Sequence, residues 1–134
     1  MNLIFGSSAL IAYLRNEQGA DAVRELLRDP VNACLVHAVS WCEVYYEARR
    51  HGGEEFAQAS LALLRKTGLL RREDMEEYFC LDVGRLKADF RRISLADCFC
   101  AALANRLGCE VVTADRSEFQ PLADANICKV TLIR

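Results

Sequence analysis

The sequence predicts a single α/β domain, a parallel β-sheet flanked by helices on both faces. Three observations predict it. Short apolar runs recur along the chain, segments with apolar residues at helical spacing separate them, and no Gly/Ser/Pro-rich linker, low-complexity tract or fixed-period repeat intervenes. Strands that alternate with helices call for a parallel sheet covered on both sides. With 134 residues, 52% of them hydrophobic and 27% charged, residues 1–134 have the makeup of one domain burying roughly two-thirds of its unfolded surface.

The elements follow in order. Leu3-Ile4-Phe5 is a short strand stopped by Gly6, and Ser7 and Ser8 lead into a helix over Ala9–Leu14. A second helix runs from Ala20 to about Arg28, ended by Asp29-Pro30 because a residue before proline disfavours helical geometry. Ala33 to Val36 reads as a buried strand. From Ser40 to Arg50, Trp41, Val44, Tyr45 and Ala48 recur at helical spacing; His51-Gly52-Gly53 stops that helix, and another covers about Glu54 to Lys66. Gly68 precedes a short strand at Leu69-Leu70. The acidic start Glu73-Asp74-Glu76-Glu77 suits the positive end of a helix reaching about Phe90. Ser94 to Leu107 is the clearest helix and ends at Gly108. Glu110 to Thr113 forms a strand, a polar stretch follows, and Val130 to Ile133 closes the sheet.

Composition excludes several functions. Seventeen Lys and Arg against 19 Asp and Glu give a net charge of -2, so nothing draws the whole molecule toward nucleic acid or anionic lipid, and any such contact needs a local patch. The seven cysteines form no CxxC and read as reduced core thiols; Cys98 and Cys100, about 100° per residue apart on a helix, face opposite ways and do not chelate zinc together. Met1 to Leu14 is uncharged but holds Asn2, Gly6, Ser7 and Ser8 and falls short of the ~20 apolar residues a bilayer requires, so we expect a cytoplasmic protein with no membrane association. His37 and His51 lack a nucleophile elbow, and no GxGxxG or Walker motif points to a nucleotide.

In parallel α/β folds ligands bind beyond the carboxyl ends of strands, which directs attention to Gly6–Ser8 and Thr113–Asp115. Asp115 stands where a catalytic carboxylate is presented; it equally suits a turn or cap before Arg116-Ser117-Glu118. Asp97 is the one charged residue between Leu95 and Ala104, on a helix apolar nearly all round, and is thereby carried into the interior. The alternative is a capping box, with Ser94 as N-cap and Asp97 reaching back. Glu43, amid Trp41, Val44 and Tyr45, is either a partner of the helix dipole or a third member of the site. Carboxylates that converge repel one another, so Glu43, Asp97 and Asp115 together call for a hard divalent ion such as Mg2+ or Mn2+, which activates water and neutralises charge on a phosphodiester. Arg49-Arg50, Arg71-Arg72, Lys87, Arg91-Arg92 and Arg116 are either phosphate contacts or solvated helix faces.

Leu3-Ile4-Phe5-Gly6-Ser7-Ser8 through Leu14, Ser40-Trp41-Cys42-Glu43-Val44-Tyr45-Tyr46, Ile93-Ser94-Leu95-Ala96-Asp97 and Val112-Thr113-Ala114-Asp115-Arg116-Ser117-Glu118-Phe119 resemble, in order and spacing, the PIN domain, and more narrowly VapC-type toxins of bacterial toxin-antitoxin pairs. The resemblance spans the chain. It implies a PIN-like sandwich around a parallel sheet and a metal-dependent ribonuclease whose acids hold one or two Mg2+ or Mn2+ ions. Glu43, Asp97 and Asp115 match three of its acidic positions, and Thr113 a polar position beside the last. It further implies an RNA substrate, a homodimer, and a cognate antitoxin that covers the groove, often by inserting a basic side chain among the acids.

One position departs from the pattern. Where the family has an Asp before a Ser or Thr pair, this chain has Gly6, which relieves a tight strand-to-helix turn but binds no metal. Losing one hard ligand removes ~2 to 4 kcal/mol of metal binding or transition-state stabilisation, roughly 30-fold to 1,000-fold in rate, so the site is expected to be weakened or inactive. Ser7 and Ser8, at a helix N-terminus, are then candidates to contact a phosphate or a metal-bound water, and Arg91, Arg92 and Arg116 to contact RNA. The alternatives are a PIN scaffold that binds RNA or protein without catalysis, or a domain whose acids are only caps and surface charges.

Overall fold

In a computed structural model, residues 1–134 form β1 (Asn2–Phe5), α1 (Ser7–Leu14), α2 (Ala20–Arg28), β2 (Ala33–His37), α3 (Ala38–Lys66), β3 (Leu70–Arg72), α4 (Glu77–Asp89), α5 (Leu95–Leu107), β4 (Glu110–Thr113), α6 (Arg116–Asp124) and β5 (Lys129–Leu132). The strands make one sheet, in the order β3-β2-β1-β4-β5, and every pairing is parallel. This is the predicted α/β domain.

Alternation along the strands builds two cores. Leu3 and Phe5 point to one face, where they pack with Leu10, Val23, Val36, Val44 and Leu64 from α1, α2, β2 and α3. Ile4 points to the other and packs with Phe79, Phe99, Leu103, Val111 and Phe119 from α4, α5, β4 and α6. A one-residue slip of β1 would exchange these faces, so register and core specify each other. The central helix α5 is buried at every residue from Ala96 to Ala104, Asp97 included.

From β1 the chain steps outward through β2 to β3, then returns over the second face to β4 and moves out to β5. The loops leaving β1 and β4 therefore diverge from two neighbouring strands, opening a crevice at their carboxyl ends. The Gly6 N–H donates to Val112 O at 2.9 Å, holding the two exits side by side. No helix is long and apolar enough to cross a membrane.

The two helices expected on either side of His51–Gly53 are the two arms of α3, broken at Gly53, whose φ of 86° and ψ of 179° are non-helical and open to glycine. Other expectations are corrected. The polar stretch after β4 is a helix, α6: Phe119 and Leu122 bury its one apolar stripe while Pro121 and the polar residues around it mask the pattern. Helix α4 starts at Glu77, not Glu73, because the Glu76 side chain caps it by accepting from Phe79 N–H at 3.1 Å and Asp74 turns instead toward arginine. The thiols are all free, but only Cys34, Cys98, Cys100 and Cys109 are core residues; Cys42 and Cys80 are exposed and Cys128 is half-buried. The fully buried His37 caps α3, with Nδ1 accepting from Val39 N–H at 3.0 Å and Nε2 donating to Asp74 O at 2.9 Å.

Candidate metal centre

The crevice between the β1 and β4 exits is lined from four directions. Thr113, fully buried at the end of β4, is the pivot: its Oγ1 lies 3.0 Å from Ser8 Oγ and accepts from Asp115 N–H at 3.0 Å. Ser8 Oγ also accepts from Ala114 N–H at 3.0 Å. These contacts turn the chain after β4 so that Asp115 becomes the N-cap of α6. Its Oδ1 accepts from Glu118 N–H at 3.1 Å and from Ser117 Oγ at 2.9 Å. The cap role open to Asp115 is thus real, and one oxygen fulfils it.

Asp97 arrives from α5 and is 8% exposed. Its hydrogen bond with Ser94 runs through the Asp97 backbone N–H, which donates to Ser94 Oγ at 3.2 Å. The expected return of the Asp97 carboxylate to the cap does not occur. That place is filled by Glu118, which accepts from Ser94 N–H at 3.1 Å and from Ser94 Oγ at 3.2 Å. Asp97, Asp115 and Glu118 bring one carboxylate oxygen each within 4.8 Å of one another. Glu118 is a member the sequence reading passed over, since its partner Ser94 lies 24 residues away and it stands in the polar stretch whose helix went unrecognised.

Glu43 lies outside this group of three. It is held by Ser7, whose Oγ donates to Glu43 Oε1 at 2.9 Å, and by Tyr46, whose hydroxyl donates to Oε2 at 3.3 Å. Burial pushes the Cys100 thiol up, with smaller pushes from Cys128 and Glu43, and Cys100 lies one turn along α5 from Asp97. The hydroxyls of Ser7 and Ser8 brace Glu43 and Thr113.

The glycine at the β1 exit is not required by the backbone. Gly6 has φ -72° and ψ 157°, which any residue adopts, and this corrects the expectation that it relieves a tight turn. A Cβ there would meet Thr113 Oγ1 at 3.5 Å and Val112 O at 3.6 Å, ordinary contacts. A side chain at this position would enter the crevice from the β1 side.

The charges are distributed unevenly. No Lys or Arg lies within ion-pair distance of Glu43, Asp97, Asp115 or Glu118, although ten ion pairs form elsewhere. Arg49, Arg50, Arg71 and Arg72 are all paired with acids on their own side of the fold. Lys87 donates to Arg91 O and Ile93 O at 2.8 and 2.7 Å, fixing the loop before α5. Arg91, Arg92 and Arg116 remain as exposed cations without an acid partner, at the entrances to α5 and α6. Three hard oxygen donors with no internal counter-charge fit a divalent cation of the Mg2+ or Mn2+ kind.

Comparison with known proteins agrees with this architecture. A family model, that of the PIN domain, matches residues 4–124. No curated protein matches the sequence. Among solved structures the fold is shared with VapBC2 from Rickettsia felis bound to a DNA fragment from its promoter, at TM-score 0.76 and 14% identity over 98% of each chain. It is shared with a toxin-antitoxin complex from Klebsiella pneumoniae, at TM-score 0.73 and 19% identity over 98% of each chain. A third is VapC20 from Mycobacterium tuberculosis, a sarcin-ricin loop cleaving toxin, at TM-score 0.72 and 14% identity over 89% of this chain and 94% of that one. At these identities the likeness is one of fold.

Proposed function

Because this chain belongs to the PIN domain family, we propose that it is a metal-dependent endoribonuclease of the VapC-like toxin type, weakened by Gly6. The observation that carries this reading is the convergence of Asp97, Asp115 and Glu118 at the carboxyl ends of β1 and β4 with no cation of the protein's own. Asp97 and Asp115 would hold the ion, with Glu43 as the acid on the α3 side. A bound Mg2+ or Mn2+ supplies Lewis-acid activation of water and neutralises charge developing on a phosphodiester. The protein's part is orientation: Ser7 and Tyr46 fix Glu43, Thr113 fixes the turn that presents Asp115, and buried α5 carries Asp97 into the crevice. Arg91, Arg92 and Arg116, exposed at the entrances to α5 and α6, would take the RNA backbone, the local patch that a net charge of -2 makes necessary.

The same reading extends to partners. The R. felis and K. pneumoniae structures are toxin-antitoxin assemblies, which supports a cognate antitoxin for this chain; an antitoxin side chain such as Arg or Lys inserted among the acids would supply the missing counter-charge and shut the site. A homodimer working in the cytoplasm completes the proposal, and seven free thiols agree with a reducing compartment.

Gly6 favours a second reading, a PIN scaffold that binds RNA or protein without cutting. Its ordinary φ and ψ mean that glycine is not kept for the backbone, so the change removes a possible ligand and nothing else. One experiment separates the two. RNA cleavage in Mn2+ should rise roughly 30-fold to 1,000-fold in Gly6→Asp over the parent chain and vanish in EDTA. RNA retention that is indifferent to EDTA, with no cleavage by Gly6→Asp across a total cellular RNA pool, would establish the scaffold instead.

A further inference from the structure

A capping box closes when an acid three residues into a helix turns its carboxylate back onto the N–H of the cap. Helix α5 carries that pair, Ser94 and Asp97, and forms half the box. Ser94 Oγ accepts from Asp97 N–H, but the Ser94 N–H donates to Glu118 Oε1 and the Ser94 hydroxyl to Glu118 Oε2. The place that Asp97 would take locally is occupied from another helix. The Asp97 carboxylate is left facing Asp115. Glu118 also donates its own N–H to Asp115 Oδ1, so Asp115, Glu118, Ser94 and Asp97 form one continuous chain of hydrogen bonds joining the caps of α6 and α5. The positive end of α5 favours a carboxylate at that spot.

We propose that Glu118 is a positioning residue: by occupying the Ser94 N–H and hydroxyl it keeps Asp97 turned toward the cation and fixes the span between Asp97 and Asp115. This rests on the metal reading above. Glutamine is the discriminating replacement. Its amide oxygen accepts from Ser94 N–H and its NH2 donates to Ser94 Oγ, so Glu118→Gln keeps both contacts while removing an anionic ligand. Glu118→Ala removes both, and Asp97 then closes its own capping box.

Titration of Mn2+ into the chain, with Asp97→Asn marking the loss of a true ligand, reads the difference. Glu118→Ala should weaken Mn2+ binding by about 10- to 100-fold, as supporting partners of metal ligands do, and Glu118→Gln should stay within about threefold of the parent. Equal losses in the two variants would make Glu118 a ligand and overturn the positioning role; so would full affinity in Glu118→Ala. A thermal melt of each variant identifies any loss that comes from misfolding. A second readout needs no metal: in a crystal structure of metal-free Glu118→Ala, the Asp97 carboxylate should lie on Ser94 N–H. Asp97 still turned toward Asp115 there would sink the proposal. If the parent chain takes up no Mn2+, the metal reading fails and this structure alone decides the clamp.

Discussion

Asp74 and Asp97 are both carboxylates largely withdrawn from water, on the side of the sheet covered by α4 and α5, and their surroundings differ in one respect. Arg72 grips Asp74 with two nitrogens at 2.8 and 3.0 Å, and Arg106 reaches it at 3.0 Å while also pairing with Glu76 and lying over the Phe79 ring at 5.0 Å. These cations, the Arg72 hydrogen bonds first, hold the Asp74 carboxyl down to about 2. Asp97 has Asp115 and Glu118 beside it and no cation. Carboxylates gathered away from water are unfavourable unless paired, so the first group is complete as folded and works as a structural tie. The second has no cation of its own, and the divalent ion proposed above would supply one.

The largest expected effect tests that difference. Asp97→Asn should weaken Mn2+ binding by about 30-fold or more, yet leave the metal-free protein as stable as the parent or slightly more so, since it relieves repulsion. Titration calorimetry with thermal melts in EDTA checks both halves. A drop in metal-free stability with unchanged Mn2+ affinity would put Asp97 in the same class as Asp74.

The converse change is Asp74→Asn, for which Mn2+ affinity should stay unchanged while stability at pH 7 falls by about 1–2 kcal/mol, allowing for solvent screening. Its pH dependence has a definite sign. The folded carboxyl sits at about 2 against 3.8 when free, so the tie is fully present above about pH 4 and is lost as pH falls toward 2. Acid unfolding followed by circular dichroism should show a component in that window in the parent and lack it in Asp74→Asn.

The smallest effects belong to the rim. Arg91→Ala, Arg92→Ala and Arg116→Ala should each lower affinity for single-stranded RNA about two- to fivefold and reduce the salt-dependence slope by roughly 0.7. Arg49→Ala and Arg71→Ala, already paired with Glu54 and Glu73, should change neither. Filter binding across a range of KCl concentrations distinguishes the two sets.

Much of the fold was legible because β1, β2 and β4 are apolar runs that alternate with apolar-faced helices, a pattern that burial on both faces of a parallel sheet imposes. Helix α6 was not legible, since Pro121 and a polar majority hide a stripe of only Phe119 and Leu122. Asp97 and Asp115 were readable as candidates from local context, one as a lone acid on an apolar helix and the other as the residue after a strand. Glu118 was not, because its significance lies in a contact with Ser94 made across the fold. Gly6 was readable as a departure from a family pattern, but its unstrained backbone was visible only in three dimensions.

The pairing of Ser8 with Thr113 joins residues 105 positions apart and seats the hydroxyl that in turn accepts from Asp115 N–H. A chain growing from the ribosome at about 5–20 residues per second can assemble β1, β2 and their helices early, yet it has no crevice until β4 emerges and inserts beside β1. The cluster of acids that would hold an ion is thus among the last features of residues 1–134 to form, after the packing around β1 and β2 can begin.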